Sequence, residues 1–448
     1  MQIATEKFNH SYIISISFIS ALGGYLFGFD FAVISGALPF LKSQFALSAL
    51  GEGFLTGSLA LGCMAGSLLA GRIADRYGRR PGLMVAASIF ALSSVAMAFA
   101  ANLPVFILFR FGAGIGVGMS SMLSPLYISE ISPAAVRGRN VALNQLTIVL
   151  GILITNLVNY TLADKGPEAW RWMFGLGVIP SLLFLFGVVF LPESPRWQLS
   201  KGLKADALKT LCKIGSATAA ARIVEDLEKS APAATNGGYL NVFAKAVRPA
   251  VLVGVTLAVF QQFCGINVVF NYTSTIFKSI GADLDRQLWE TVIIGVVNTL
   301  FTLLAMWQVD RLGRKPLIMF GSLGLTIIYL ALAYALGHQA SAGWISFLVL
   351  LAIAVYATSL APVTWVIISE IFPNHIRGTA SSFAILCLWG AYFLLVFTFP
   401  LLAEALGTYG PFYLYAVVCF FGFVFIRIKV KETKGQSLEQ LESNFAAH

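Results

Sequence analysis

The chain has 448 residues, 58% of them hydrophobic and only 11% charged, with a net charge of +9. Soluble domains carry roughly 25% charged residues, so composition excludes a soluble fold and predicts a chain that crosses a membrane many times. The positive balance is spread over short loops and needs no nucleic-acid partner, and the five cysteines have neither metal-ligand spacing nor a disulfide framework.

A membrane-crossing helix needs about 20 mostly apolar residues. Runs of that kind fall near 12–38, 51–71, 82–101, 103–127, 140–162, 172–191, 250–277, 288–308, 316–337, 344–368, 379–403 and 409–427, which predicts twelve transmembrane helices. The head "MQIATEKFNH" is short and the first run is too long for a signal-peptide core, so no cleaved signal is expected.

Span 1 contains "LFGFDFAVISG", with a bare carboxylate at Asp30. Ionisable side chains inside spans are expensive and by default functional. Arg110 in span 4 is the second such residue away from helix ends. At 1.5 Å per residue, Asp30 lies roughly 12 Å and Arg110 roughly 10 Å below the same surface, so the two could pair. A static pair would contribute little net stability. A proton switch uses the charges better: Asp30 stays ionised while Arg110 is close and takes a proton when Arg110 turns away. The stretch "GAGIGVG" after Arg110 reads as a packing motif within the chain, with Gly112 and Gly116 four apart.

The loop after span 2 holds Arg72, Arg76, Arg79 and Arg80, and the loop after span 4 holds Arg137 and Arg139. Arg311, Arg314 and Lys315 follow span 8, and Arg427, Lys429, Lys431 and Lys434 follow span 12. The alternate loops are nearly free of basic residues, which predicts a multi-pass plasma (inner) membrane protein with both termini cytoplasmic.

One long polar segment separates spans 6 and 7. Within it "KADALKTLCKIG" and "ARIVEDLEK" have apolar residues at helical spacing, and "SAPAATNGGY" reads as a linker. The expected division is an N-terminal six-helix bundle at 1–192, a cytoplasmic helical linker at 193–248, a C-terminal six-helix bundle at 249–428 and a tail at 429–448.

The halves repeat. "SEISPAAVRG" at 129–138 matches "SEIFPNHIRG" at 369–378 with an offset of 240, and "ADRYGRRP" at 74–81 matches "VDRLGRKP" at 309–316 with an offset of 235. Two six-helix units of one plan suit a carrier that binds between them and rocks one against the other. Acids recur in these basic loops at Asp75 and Asp310, alongside Arg79 and Arg314. Glu130 with Arg137, Glu370 with Arg377, and Glu193 with Arg196 suggest ion pairs joining helix ends, and "KETKG" adds Glu432. One exposed pair contributes only about 0–1 kcal/mol; a network that forms in one conformation could latch the cytoplasmic side.

Together "GRIADRYGRRP", "PESPRW", "VDRLGRKP", "SEIFPNHIRG" and "KETKG" resemble the sugar-porter branch of the major facilitator superfamily, closest to bacterial xylose and glucose proton symporters. The resemblance runs from about residue 12 to 440, and Lys431 stands where the family's last motif usually begins with Pro. It implies an all-α membrane protein with the major facilitator fold.

Span 7 reads "QQFCGINVVFNY", so Gln261, Gln262, Asn267 and Asn271 interrupt an apolar run; Gln145 in span 5 and Asn298 in span 8 are similar. A single amide in a span is as readily interhelical glue. Six across three helices point to a site for a neutral, hydroxyl-rich ligand, because an amide both donates and accepts. By resemblance, Gln145, Gln261, Gln262, Asn267 and Asn298 contact a monosaccharide, Trp365 and Trp389 form an aromatic platform, and Phe27 adds a ring from span 1. Asn271 stands where the family has a lid Tyr, leaving Tyr272 as the gate aromatic; Leu388 and Tyr392 replace amides common in the family. In the family, an acid at the place of Asp30 marks proton symport.

The function these readings imply is proton-coupled import of a hexose or pentose such as glucose or xylose, by a monomer in a lipid bilayer, with no cofactor or metal. A facilitative uniporter with a structural Asp30 is the alternative. A non-transporting sugar sensor is more remote, since the tail has only about twenty residues. Enzyme and pump readings fail on motif grounds: no phosphate-binding G-x-x-x-x-G-K-[ST] loop appears, and His10, His338, His375 and His448 lie outside the spans or at their ends.

Overall fold

A computed structural model describes residues 8–133, 136–229, 247–372 and 377–432, with the backbone alone at 226–229, 309–311, 369–370 and 377–378. The N-terminal half contains α1 (His10–Gln44), α2 (Ala49–Tyr77), α3 (Arg79–Ala98), α4 (Leu103–Ile131), α5 (Arg137–Leu162), α6 (Ala169–Gly175) and α7 (Val178–Val189). Three short helices follow: α8 (Pro195–Ser200), α9 (Lys204–Ile214) and α10 (Ala217–Lys229). The C-terminal half contains α11 (Arg248–Phe263), α12 (Ile266–Asn271), α13 (Thr273–Lys278), α14 (Leu284–Leu312), α15 (Arg314–Gly337), α16 (Ala342–Thr358), α17 (Leu360–Ile371), α18 (Arg377–Leu406) and α19 (Gly410–Lys429). Among the described residues, twelve helical stretches are long and apolar enough to cross a membrane; α6–α7, α11–α12 and α16–α17 each make one broken crossing.

Polar residues at the run edges start these helices. Asn9, Ser48, Asn102 and Asp283 each accept a hydrogen bond from a first-turn backbone N–H, the N-cap arrangement. Gly265, at φ 87°, interrupts the seventh crossing between α11 and α12, a conformation that a side chain disfavours. The tenth crossing bends at Ser359.

Small residues bring backbones together inside each half. A Cβ at Gly28 of α1 would overlap the Ile148 carbonyl of α5, and one at Gly114 of α4 would overlap the Leu59 carbonyl of α2. Lipid is as apolar as a leucine side chain, so close backbone packing, rather than exclusion of water, drives such association. The other glycines of "GAGIGVG" that the spacing singles out face α3: Gly116 packs on Ala86 and Gly112 on Ser93.

Between the halves, contacts run from the end remote from the basic loops down to mid-depth. Gly53 of α2 lies against the Phe397 backbone of α18, and Gly57 against the Phe393 ring. Asn156 Nδ2 of α5 donates to the Thr291 carbonyl of α14 at 2.7 Å, and Ser274 Oγ of α13 to the Ser35 carbonyl of α1 at 2.5 Å. Towards the basic end, most positions along 379–387 and much of 138–148 are partly exposed.

At the basic end the ion pairs join helices of the same half, and differ from those the sequence suggests. Arg79 forks onto Glu130, with Nε to Oε2 at 2.9 Å and Nη2 to Oε1 at 3.0 Å, and reaches Asp75 at 3.6 Å. Glu130 therefore pairs with Arg79 and not with Arg137, which has no ion-pair partner among the described residues. The reason is placement: Arg79 opens α3 beside the end of α4.

Glu193 does not pair with Arg196. Its carboxylate accepts from the backbone N–H groups of Arg79 at 2.9 Å, Arg80 at 3.2 Å and Ser194 at 2.7 Å, capping α3. Helix N-termini favour anions through their free N–H groups. Burial pushes the Glu193 carboxyl above its ordinary range, and those N–H groups act against that rise. Glu432 caps α15 in the same way, accepting from Arg314 and Lys315 N–H groups at 3.0 Å each. The side chains of Asp310, Glu370 and Arg377 lie outside the described residues.

The short helices α9 and α10 bury one face, with Ala207, Leu211 and Ile214 inward, and tie to the start of α1 through Asn9 N–H to the Ile214 carbonyl at 2.8 Å.

Candidate functional site

The break at Gly265 positions the amide cluster. With α11 ending at Phe263 and α12 starting at Ile266, Asn267 comes to Gln261 and Gln262 although it is five or six residues further on. Gln262 Nε2 donates to Gln261 Oε1 at 3.1 Å, and Asn267 Nδ2 donates to Gln262 Oε1. Gln261 Nε2 donates to the Tyr356 hydroxyl of α16 at 3.3 Å. All three amides are buried. The chain of donors fixes which way each amide points and leaves further donor and acceptor capacity for a ligand.

Aromatic rings from both halves flank these amides. Phe27 of α1 meets Trp389 of α18 edge-on at 5.6 Å. Phe31, one turn on, meets Phe270 at 5.9 Å and Tyr392 at 5.5 Å. Trp389 is buried and its indole N–H has no hydrogen-bond partner. A buried donor left unpaired is costly, and a hydroxyl-bearing ligand would satisfy it.

Asn271 and Tyr392 interlock: Asn271 Nδ2 donates to the Tyr392 hydroxyl at 3.0 Å and to the Asn267 carbonyl at 2.6 Å. Tyr272 points elsewhere, donating to the Val396 carbonyl at 2.7 Å with its ring 4.8 Å from Phe399.

Among the described residues, no hydrogen bond joins Asn298, Gln145 or Trp365 to this cluster. Asn298 and Gln145 lie on facing helices at mid-depth, near where Thr299 Oγ1 of α14 reaches the Val149 carbonyl of α5 at 3.5 Å. Trp365 lies on α17 beyond the Ser359 bend and is 39% exposed.

Asp30 and Arg110 are both wholly buried, with Arg110 Nη1 3.5 Å from Asp30 Oδ2. Neither carboxylate oxygen accepts a hydrogen bond, and neither terminal guanidinium nitrogen donates one. Arg110 is held by other groups: Nε donates to the Leu55 carbonyl of α2 at 3.2 Å, and the guanidinium lies 5.6 Å from the Phe174 ring centre. The carboxylate is thus attracted but not bonded, an arrangement that lets the charges separate without breaking hydrogen bonds.

Residues 16–445 match the model of a family described as "Sugar (and other) transporter". The chain belongs to that family. The sugar transporter is 41% identical to a Bacillus subtilis protein named for metabolite transport, YwtG, over 95% of this chain and 94% of that one. It is 39% identical to the D-xylose–proton symporter of Escherichia coli over 98% of this chain and 96% of that one. A solved structure of the E. coli xylose transporter XylE, in a partially occluded inward-open conformation, matches with a TM-score of 0.86 at 36% identity, over 95% of this chain and 100% of that one. These matches establish the sugar transporter as a major facilitator protein and not an enzyme.

Tyr356 and Phe31 are site neighbours that the sequence does not reveal, and Glu52 is a buried charge that it does not reveal either. Tyr and Phe count as apolar in a hydropathy reading, so rings at 356 and 31 look like ordinary span residues. Glu52 opens α2, where a charge reads as solvated, yet it is 2% exposed.

Proposed function

We propose that this chain imports a monosaccharide, a hexose or pentose, together with a proton by alternating access in the plasma membrane. The observation that carries the coupling is the buried Asp30–Arg110 pair, close enough to attract and free of hydrogen bonds. Arg110 close by favours the ionised carboxylate, and Arg110 withdrawn favours the protonated one. Loading from outside and release inside then need only a change in that one separation.

The sugar site is formed by Gln145, Gln261, Gln262, Asn267, Asn298, Trp365, Trp389 and Phe27, with Asn271 and Tyr272 at the gate. The bonded amide chain and the unpaired Trp389 N–H support this assignment. The rocking units are 1–192 and 249–428, with the 193–248 linker, the tail at 429–448 and both termini on the cytoplasmic side, where the basic loops lie. In that frame the halves meet on the outer side, so the structure is inward-facing. The acids and bases Asp75, Arg79, Glu130, Arg137, Glu193, Arg196, Asp310, Arg314, Glu370, Arg377 and Glu432 belong to a cytoplasmic network that biases the conformations. One copy in a lipid bilayer suffices, since site and pair lie within one chain.

The test is uptake into proteoliposomes under an imposed pH gradient, comparing pentoses and hexoses. Accumulation above the external sugar concentration that vanishes without the gradient is expected. Equilibration alone, whatever the gradient, would assign uniport and a structural Asp30 instead.

A further inference from the structure

Glu52 is a buried carboxylate that neither the sugar site nor the proton switch uses. It lies in the first turn of α2, on the seam that closes the end remote from the basic loops. Its Oε2 accepts from Lys42 Nζ of α1 at 2.5 Å, and Lys42 is itself 44% exposed. Its Oε1 faces the other half of the molecule, where Thr275 Oγ1 of α13 donates at 3.5 Å. Around it, Thr56 Oγ1 folds back onto the Glu52 carbonyl at 2.9 Å, and Gly53 packs against Phe397.

The helix that meets it is a separate piece. α13 has six residues and is set off from α12 at Tyr272. It is held to the N-terminal half by two hydroxyls, Ser274 onto the Ser35 carbonyl and Thr275 onto Glu52. A backbone carbonyl is an acceptor that many sequences could offer. A carboxylate buried at that spot is a more specific feature, although at 3.5 Å its contact with Thr275 is a long hydrogen bond. Lys42 neutralises the charge within the N-terminal half, so it persists whether the seam is open or shut. The second oxygen has a protein partner only when α13 is docked, and must otherwise turn to water.

We propose that Glu52 is a positioning residue for gating: an anchor on α2 onto which α13 closes as the outer lid, with Lys42 holding the carboxylate in place. The proposal rests on the alternating-access reading above. Weakening the anchor shifts the molecule from outer-closed to outer-open.

The test uses full-length protein in proteoliposomes, with Cys212 replaced by Ser and Thr291→Cys as a reporter. Thr291 is 2% exposed on the same seam, away from the lid. Its labelling by a membrane-impermeant maleimide added outside measures outer opening. Glu52→Gln and Thr275→Val are each expected to raise the labelling rate about two- to fivefold, from weakening of one long hydrogen bond, and to combine less than additively. Glu52→Asp, one methylene shorter, draws the carboxylate back from Thr275 and should also raise labelling. The external KM should fall together with the maximal rate, whereas a general folding defect would lower the rate with KM unchanged.

Parent-like labelling in both variants overturns the proposal, and Thr275→Val, conservative in shape, keeps that outcome readable if Glu52→Gln fails to fold. If parent labelling does not respond to saturating sugar, alternating access itself fails and this proposal falls with it.

Discussion

Asp30→Asn removes one charge and little volume, and its consequence is calculable. At 3.5 Å and an effective dielectric near 20, the attraction to Arg110 is about 5 kcal/mol. One pH unit supplies only about 1.4 kcal/mol, so the separation of the two charges weighs more on the Asp30 charge than an ordinary gradient does. On the proposed reading, Asp30 takes its proton as Arg110 moves away, one proton for each inward passage. For one proton per sugar, a gradient of one unit drives about tenfold accumulation. The amide of the variant carries no proton, so the expected accumulation ratio is about 1, the value for no coupled driving force. Exchange of labelled for unlabelled sugar across equal concentrations should persist, because the amide and aromatic cluster is untouched. The variant also leaves Arg110 buried without a counter-charge, which can cost about 3–5 kcal/mol; its bond to Leu55 and the Phe174 ring limit that loss. Preserved exchange therefore doubles as the proof of folding. Accumulation near tenfold by the variant would refute coupling through this residue.

Gly78→Ala should lower thermal stability by about 1–2 kcal/mol from strain at φ 107° alone, and by more because the Cβ overlaps the Glu193 carboxylate; a melting curve in detergent reads it, and Gly313→Ala should behave alike. Trp389→Phe keeps a ring against Phe27 and removes the unpaired N–H, so KM should rise about five- to tenfold, equal to one hydrogen bond, with the maximal rate little changed in uptake assays. Gly28→Val drives a side chain into the α5 backbone at Ile148, and expression with a monodisperse size-exclusion peak should be lost, while the same change at Gly138, which has open space, should be tolerated.

The frame was legible in the sequence because hydropathy counts residues and membranes fix how many are needed. The positions of the broken crossings were not. "QQFCGINVVFNY" reads as one apolar run, and only the φ of Gly265 reveals that the helix stops there. That break is also what turns Gln261, Gln262 and Asn267 from three scattered amides into one bonded row. The loop charges were legible as charges but not as partners. Spacing along the chain brings Glu130 to Arg137, whereas packing brings it to Arg79, since residues seven apart across a loop compete with the end of a neighbouring helix. Glu52 was hidden by the reasonable rule that a charge at a helix end is solvated; only the α2–α18 and α13 contacts bury it.

The internal duplication separates what the two halves share from what each does alone. Gly78 and Gly313 lie 235 residues apart, Glu193 and Glu432 lie 239 apart, and in both halves a positive-φ glycine admits a distant carboxylate onto the N-terminus of the third crossing. A capped helix start is a fixed bearing that either half needs if it is to rotate as a unit, so the duplicated sequence retains it. The buried charges follow no such symmetry. Asp30 and Arg110 both belong to the N-terminal half, while the bonded amides Gln261, Gln262 and Asn267 belong to the C-terminal half. Binding a neutral sugar and binding a proton make opposite demands, since one needs hydrogen bonds fixed in place and the other needs a charge whose partner can leave. On the proposed reading, the fixed amides lie in one half and the separable charges in the other, with Phe27 and Gln145 reaching the amides from the charged half. If the sugar site is as proposed, the rings of Phe27 and Phe31 on the helix that carries Asp30, set against Trp389 and Tyr392, are the contact through which an occupied site would move that helix relative to Arg110.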